Sequence, residues 1–174
     1  MVVAILAVLG GVAIGVTPSI VRVAKGQSGA QELSAFMKRH RELAISRRRN
    51  IEIAFTAPNQ VRSTQRAVPD PPNPLGPSTV LETKFLEGGV QYRTFAGVPD
   101  TPDAFGNAAA IVLGGANPVM FTSEGSFTDV DGNPINASIF LGVPNQVSTA
   151  NALTIIGTTA TVRTFRWDGS RWIQ

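Results

Sequence analysis

The chain has no cysteine, one histidine, and two long stretches from which charge of one or both signs is missing. Without cysteine there is no disulfide framework, no thiol nucleophile and no thiolate metal site, so a folded body must hold by packing alone. A lone histidine, His40, excludes a paired-imidazole metal site, and no nucleophile elbow or phosphate-binding loop is present. Carboxylates such as Glu82 and Glu87 are scattered on strand patterns without a partner visible in the sequence. No catalytic, cofactor or metal site assembles from these residues, and the chain reads as a non-enzyme.

The first missing charge is at the start. From Met1 to Val21 (MVVAILAVLGGVAIGVTPSIV) nothing is charged, and at about 1.5 Å per residue such a helix covers roughly 30 Å, the thickness of a bilayer core. The expectation is a single membrane span or an apolar filament core. Ala7, Gly11 and Gly15 recur every fourth residue and form a strip on which another helix can pack closely. No basic residue precedes the run and Arg22 and Lys25 follow it, which argues against a cleaved signal peptide. Beyond Pro18, Leu33, Phe36 and Leu43, with Met37 and Ala44 alongside, recur at helical spacing among Lys38, Arg39, Arg41 and Glu42. One long helix over 1–48 is predicted, its Leu33, Phe36, Leu43 stripe packed on a head and His40 lying on that stripe as a packing residue.

The second gap in charge is one-sided. Residues Phe95–Thr161 carry no Lys or Arg but five acids (Asp100, Asp103, Glu124, Asp129, Asp131), whereas Met1–Arg66 carries ten Lys/Arg against three acids. The net charge of +3 therefore hides a basic stalk and an acidic head. Arg47-Arg48-Arg49 reads as a solvated helix end whose cations meet the negative end of the helix dipole.

Residues 49–174 read as one β-rich head. Ile51–Phe55 alternates with period two, Ala57-Pro58-Asn59 turns the chain, and Gln60–Val68 pairs back as a second strand. PDPPNPLGP, ending at Pro77, is an extended surface loop. Thr79–Phe85 and Val90–Phe95 are the next strands, Gly97–Asn107 an exposed loop, and Ala108–Leu113 a buried strand. Asp129-Val130-Asp131-Gly132-Asn133 has acidic oxygens at calcium-loop spacing, yet the other ligands are absent and Asp-Gly before Asn-Pro is what a tight hairpin requires. Leu153–Ile156, Thr161–Trp167 and Ser170–Gln174 close the fold, with Asp168-Gly169 as a turn. The fold class is α+β: a long helix packed on an antiparallel β head of two small sheets.

MVVAILAVLGGVAIG, then a proline, a half-polar helix, and ELAISRRRNIEIAF resemble the N-terminal half of type IV pilin-like proteins, specifically minor pseudopilins of the GspH/FimT group. PVMFTSEGSFTDVDGNPINASIFL, Pro118–Leu141, is similar to that group's second signature: a strand ending in Phe, a Gly a few residues on, a variable turn, then an apolar strand with Val119, Phe121, Ile139 and Leu141 facing the core. The family's leader, its Gly-Phe cleavage junction and the Glu beyond it are not in this sequence, which is expected to begin inside the apolar segment. The resemblance implies a prepilin that is processed, methylated and assembled with other pilins through its N-terminal helix. It implies a bacterial inner-membrane protein with its head in the periplasm, or a subunit of a secretion or pilus filament. In the DNA-binding branch a Gly-Arg-x-Arg segment meets phosphates; here the matching positions read Ala160-Thr161-Val162-Arg163. Arg163, Arg166 and Arg171, with Phe165, Trp167 and Trp172, are the candidate nucleic-acid contacts, although Arg163 and Arg166 point to opposite faces of a strand.

Overall fold

The computed structural model describes residues 2–66 and 78–174, residues 2–20 as helical backbone only. The helix α1 (Val2–Arg47) is one uninterrupted element of 46 residues, about 70 Å long at 1.5 Å per residue. Along it Gly26, Ala30, Leu33, Met37, His40 and Ala44 are buried at alternating spacings of three and four, so a single stripe faces the rest of the chain. Phe36 lies beside that stripe, 1 % exposed, and Leu43 is partly buried against the same core. Ala7, Gly11 and Gly15 lie among the residues whose side chains fall outside the description. Among the described residues, no helix is long and apolar enough to cross a membrane.

The helix stops by a backbone device. Arg49 N–H donates to the Ala44 carbonyl (3.1 Å) and Arg48 N–H to the Ile45 carbonyl (3.2 Å), the paired bonds of a Schellman cap, with Arg48 at φ 51° in the left-handed position that usually takes glycine. The reversal throws the chain directly into the first strand.

Eleven strands follow among the described residues. One sheet runs β3-β2-β1-β6-β7, where β1 is Ile51–Thr56, β2 Gln60–Gln65, β3 Thr79–Phe85, β6 Val119–Phe121 and β7 Phe127–Thr128. The other runs β11-β10-β9-β8-β4, with β4 Gln91–Tyr92, β8 Ala137–Gly142, β9 Asn151–Ile156, β10 Thr161–Trp167 and β11 Trp172–Ile173; β5 (Ile111–Leu113) also pairs with β8. All the pairings are antiparallel. The chain is thus α+β, one N-terminal helix laid over two antiparallel sheets. In β1, Ile51, Ile53 and Phe55 turn inward while Glu52 and Ala54 are half-exposed, the alternation of a half-buried strand. Val119, Phe121, Ile139 and Leu141 are all fully buried.

Several expectations need correction. The second strand ends at Gln65, and the proline-rich segment lies outside the described residues. Val90–Phe95 shortens to Gln91–Tyr92, because after Arg93 the chain leaves the sheet through a turn closed by Val98 N–H on the Phe95 carbonyl (3.2 Å). Ala108–Leu113 reduces to Ile111–Leu113, half-buried, since it sits beyond β8 at a margin of its sheet. Gly97–Asn107 is not simply an exposed loop: Thr101 is 3 % exposed, and Pro99 and Asp103 bond to the outer face of the second sheet. That cover explains why β8 is buried along its whole length rather than alternately.

Arg48 bears a Cβ in a conformation that costs an L-residue about 1–2 kcal/mol. Arg48→Gly should therefore raise the unfolding free energy by about 1 kcal/mol, measured by chemical denaturation in mild detergent; an unchanged or lowered midpoint would contradict this account of the helix end.

Candidate functional site

The side chains that could carry function fall into two places, the buried contact between α1 and the sheets and the surface of β10 and β11. At the first, Phe36, His40 and Ser63 form a small polar island in apolar surroundings. The Phe36 carbonyl can only accept, so the 2.8 Å contact assigns the proton to Nδ1 of His40, which donates to it. Nε2 then accepts the Ser63 hydroxyl, Oγ to Nε2 2.8 Å. Glu82 on β3 stands 3.6 Å from Nε2 and is paired with Arg39 of the helix. Glu82, for which the sequence shows no partner, thus ties the helix to the sheet edge. A Ser-His-Glu set superficially resembles a nucleophile and its base, but Ser63 and His40 are 0 % and 1 % exposed, so no substrate carbonyl reaches the hydroxyl. The island joins helix to sheet and satisfies groups that burial would otherwise strand.

Desolvation in this contact holds the His40 pKa below its ordinary 6.5; the Phe36 bond opposes the shift, Arg39 adds to it, Glu82 opposes it, and Arg47 adds a smaller push. The folded pKa lies below the unfolded one, so the contribution is complete above the unfolded value and is lost as pH falls through the folded one. Between pH 7 and pH 5 stability should therefore decline, with a slope from this group of at most about 1.4 kcal/mol per pH unit. The decline should be shallower in His40→Gln, read from urea midpoints across that range; parallel slopes in the two proteins would exclude His40 as the group responsible.

Two close approaches on α1 were not read from the sequence. A Cβ on Gly26 would stand 2.4 Å from the Thr149 carbonyl oxygen, and one on Gly29 2.9 Å from Val90 Cγ1. These glycines let the helix cross the 3-10 turn Val147–Thr149 and the start of β4 at backbone distance. The small residues Gly26, Gly29 and Ala30 on one helical face were the available signal. Gly125, the glycine of the second signature, has φ +87° and its Cβ would meet Ile45 at 2.9 Å, while its carbonyl accepts from Arg41 Nε (3.2 Å).

The arginines of the second place do not share a surface. Arg163 Nη1 donates to Asp103 Oδ1 (2.6 Å), and Asp103 also accepts the Thr154 hydroxyl, so this guanidinium is neutralised within the head. Arg171 is exposed and 3.6 Å from Asp168. Asp168 caps its turn by accepting N–H groups of Arg171 and Ser170, which with the Ser170 hydroxyl hold its pKa down to about 2. Arg166 faces the opposite side of β10, toward α1. Phe165 and Trp167 are buried, and Trp172 packs edge-on against Trp167, leaving no row of free rings for bases. The Asp129 carboxylate is likewise used internally, accepting from the Asp131 and Asn133 N–H groups (3.0 and 2.8 Å) and the Asn133 amide (3.0 Å). These bonds, the Asn133 side chain first, depress its pKa. Among the described residues no three His, Asp or Glu side chains group as metal ligands.

No protein-family model matches the chain, and no curated protein matches it. Among solved structures it is similar to the minor pseudopilin EpsH from the Type 2 Secretion System of Vibrio cholerae, at 15% identity and a TM-score of 0.48, covering 84% of this chain and 98% of that one. At this level a likeness says nothing of chemistry or partners.

With Arg163 engaged and no Lys or Arg in the stretch Phe95–Thr161 before it, duplex DNA should gain few phosphate contacts, lost at modest salt. A mobility-shift assay at physiological ionic strength is expected to show no duplex binding, with Arg163→Ala and Arg166→Ala changing little. Tight, salt-sensitive binding abolished by those substitutions would promote these arginines to a nucleic-acid interface.

Proposed function

We propose that the chain is a structural subunit of the minor pseudopilin kind, entering a type II secretion or type IV pilus filament through its N-terminal helix and helping to initiate it or form its tip. One observation carries the reading: α1 is a single helix from Val2 to Arg47, yet its first buried described residue is Gly26, with Val21, Arg22, Ala24 and Lys25 exposed. The head covers the helix from Gly26 onward. The earlier half has the uncharged sequence Met1–Val21, whose apolar surface needs lipid or other helices around it. In this reading Ala7, Gly11 and Gly15 pack against neighbouring pilin helices, the subunit waits in the bacterial inner membrane with its head in the periplasm, and it works without catalysis or cofactor. The neutralised Arg163 weighs against the alternative, a DNA-capturing pilin.

Because the chain has no cysteine, introduced thiols report without ambiguity. Single Ala7→Cys, Gly11→Cys and Gly15→Cys variants, co-expressed with cysteine variants of pilin-like subunits from the same genome, should cross-link to them. Cysteines two positions away on the opposite helix face should cross-link several-fold less. Equal yields around the helix, or none, would remove the support for helix-mediated assembly.

A further inference from the structure

Close packing fixes the level at which the head meets α1. Gly26 lies against the Thr149 carbonyl oxygen, and three residues earlier on the helix Val23 shares a groove of about 400 Å3 with Val147, Ser148, Trp167 and Gly169. The 3-10 turn Val147–Thr149 therefore descends along the helix from Gly26 toward Val23 and the uncharged run that ends at Val21. Its conformation is fixed. Thr149 Oγ1 accepts the Val143 N–H (2.8 Å) and donates to the Gln146 carbonyl (2.6 Å), and the Asn151 side-chain amide donates to the Thr149 carbonyl (2.9 Å). Val21 and Val147 are exposed at this end, 49 % and 45 %. Beside them Arg22 and Lys25 are exposed and have no ion-pair partner among the described residues. Arg166 and Asp168 line the groove with opposite charge, and Asp168 is further held by the N–H groups of its own turn and by Arg171. Glu87 is the exposed acid here, next to Gly88, which stands beside the Lys25 stem.

We propose that, while the earlier half of α1 lies in the bilayer, this end of the head rests directly on an anionic lipid surface, with Val21 and Val147 among the headgroups and Arg22 and Lys25 against lipid phosphates. The inference rests on the membrane stage of the filament reading and adds a docking face to it. Arg22 is the first charge after the uncharged run, so the edge of the apolar core lies just before it. From Arg22 to Gly26 is four residues, about 6 Å of helix, and a headgroup layer is about 5–8 Å deep. The helix passes through this level unbroken, and no linker holds the head away from the lipid. Charge decides the lipid class: an anionic surface attracts each Lys or Arg close to it, and exposed valines beside cations suit the boundary between headgroups and acyl chains.

The test uses the full chain reconstituted in vesicles of phosphatidylcholine, with and without about 30 % phosphatidylglycerol. Ala7→Cys, Ser148→Cys and Asp131→Cys, the last beside Asn50 at the far end of the helix, each carry a fluorophore. Lipids bearing a nitroxide at the headgroup or deep in the acyl chain quench it according to depth. The Ser148→Cys label should be quenched from the headgroups several-fold more than the Asp131→Cys label, and most strongly with phosphatidylglycerol at low salt. Arg22→Glu with Lys25→Glu, and separately Val147→Asp, should cut that quenching several-fold and leave deep quenching of the Ala7→Cys label unchanged. Headgroup quenching at position 148 that ignores lipid charge, or that survives both sets of substitutions, would overturn the proposal and leave the membrane reading standing. An Ala7→Cys label that meets no deep nitroxide would overturn the membrane reading, and the proposal with it.

Discussion

The burial of one stripe of α1 is the constraint on which the rest depends. Leu33, Phe36 and Met37 are fully covered, and each large side chain so removed from water contributes about 1.5–3 kcal/mol. No single sheet covers the whole stripe. The first sheet meets the helix through β1, β2 and β6, and the second through β8, β9 and β10. The two sheets share this helix as well as direct bonds such as Phe127 N–H to the Gly157 carbonyl, with Gly26 and Gly29 setting how closely the helix lies at one end and the Arg48 reversal fixing its departure at the other.

Within that apolar contact His40 and Ser63 are the buried polar pair that joins helix to sheet. His40 has both ring nitrogens bonded, one to its own helix and one to Ser63 of β2, so the helix is registered against the sheet by direction as well as by area. Arg39 with Glu82 repeats the link at the surface, where exposure makes it worth little. The second sheet is covered on its outer face too, by the segment carrying Pro99, Thr101 and Asp103, whose carboxylate takes up the one arginine that the DNA-binding comparison had singled out. A residue that could have met phosphate thus became part of the head's own structure.

The long helix and its stripe were legible in the sequence because helical periodicity is a local property: Leu33, Phe36 and Leu43 stand at spacings that depend only on 3.6 residues per turn. For the same reason Thr79–Phe85 and Thr161–Trp167 have the predicted ends, and alternation along Ile51–Phe55 gave its buried face. The positions read less well, Val90–Phe95, Ala108–Leu113 and Gly97–Asn107, are those whose state is set by what lies on top of them. Periodicity predicts two faces for β8; a loop from forty residues earlier makes both of them interior.

The uncharged run Met1–Val21, the missing cysteines and the basic-to-acidic gradient belong to the sequence alone, since composition needs no partner to be read. Tertiary structure alone decided that Ser63 meets His40 across twenty-three positions and that Asp103 takes Arg163 across sixty. It alone decided that Gly26 is a contact rather than a weakness in a helix. Each is a pairing between segments distant in the chain, and such pairings are chosen by the packing of the whole body, to which a local pattern of residues has no access.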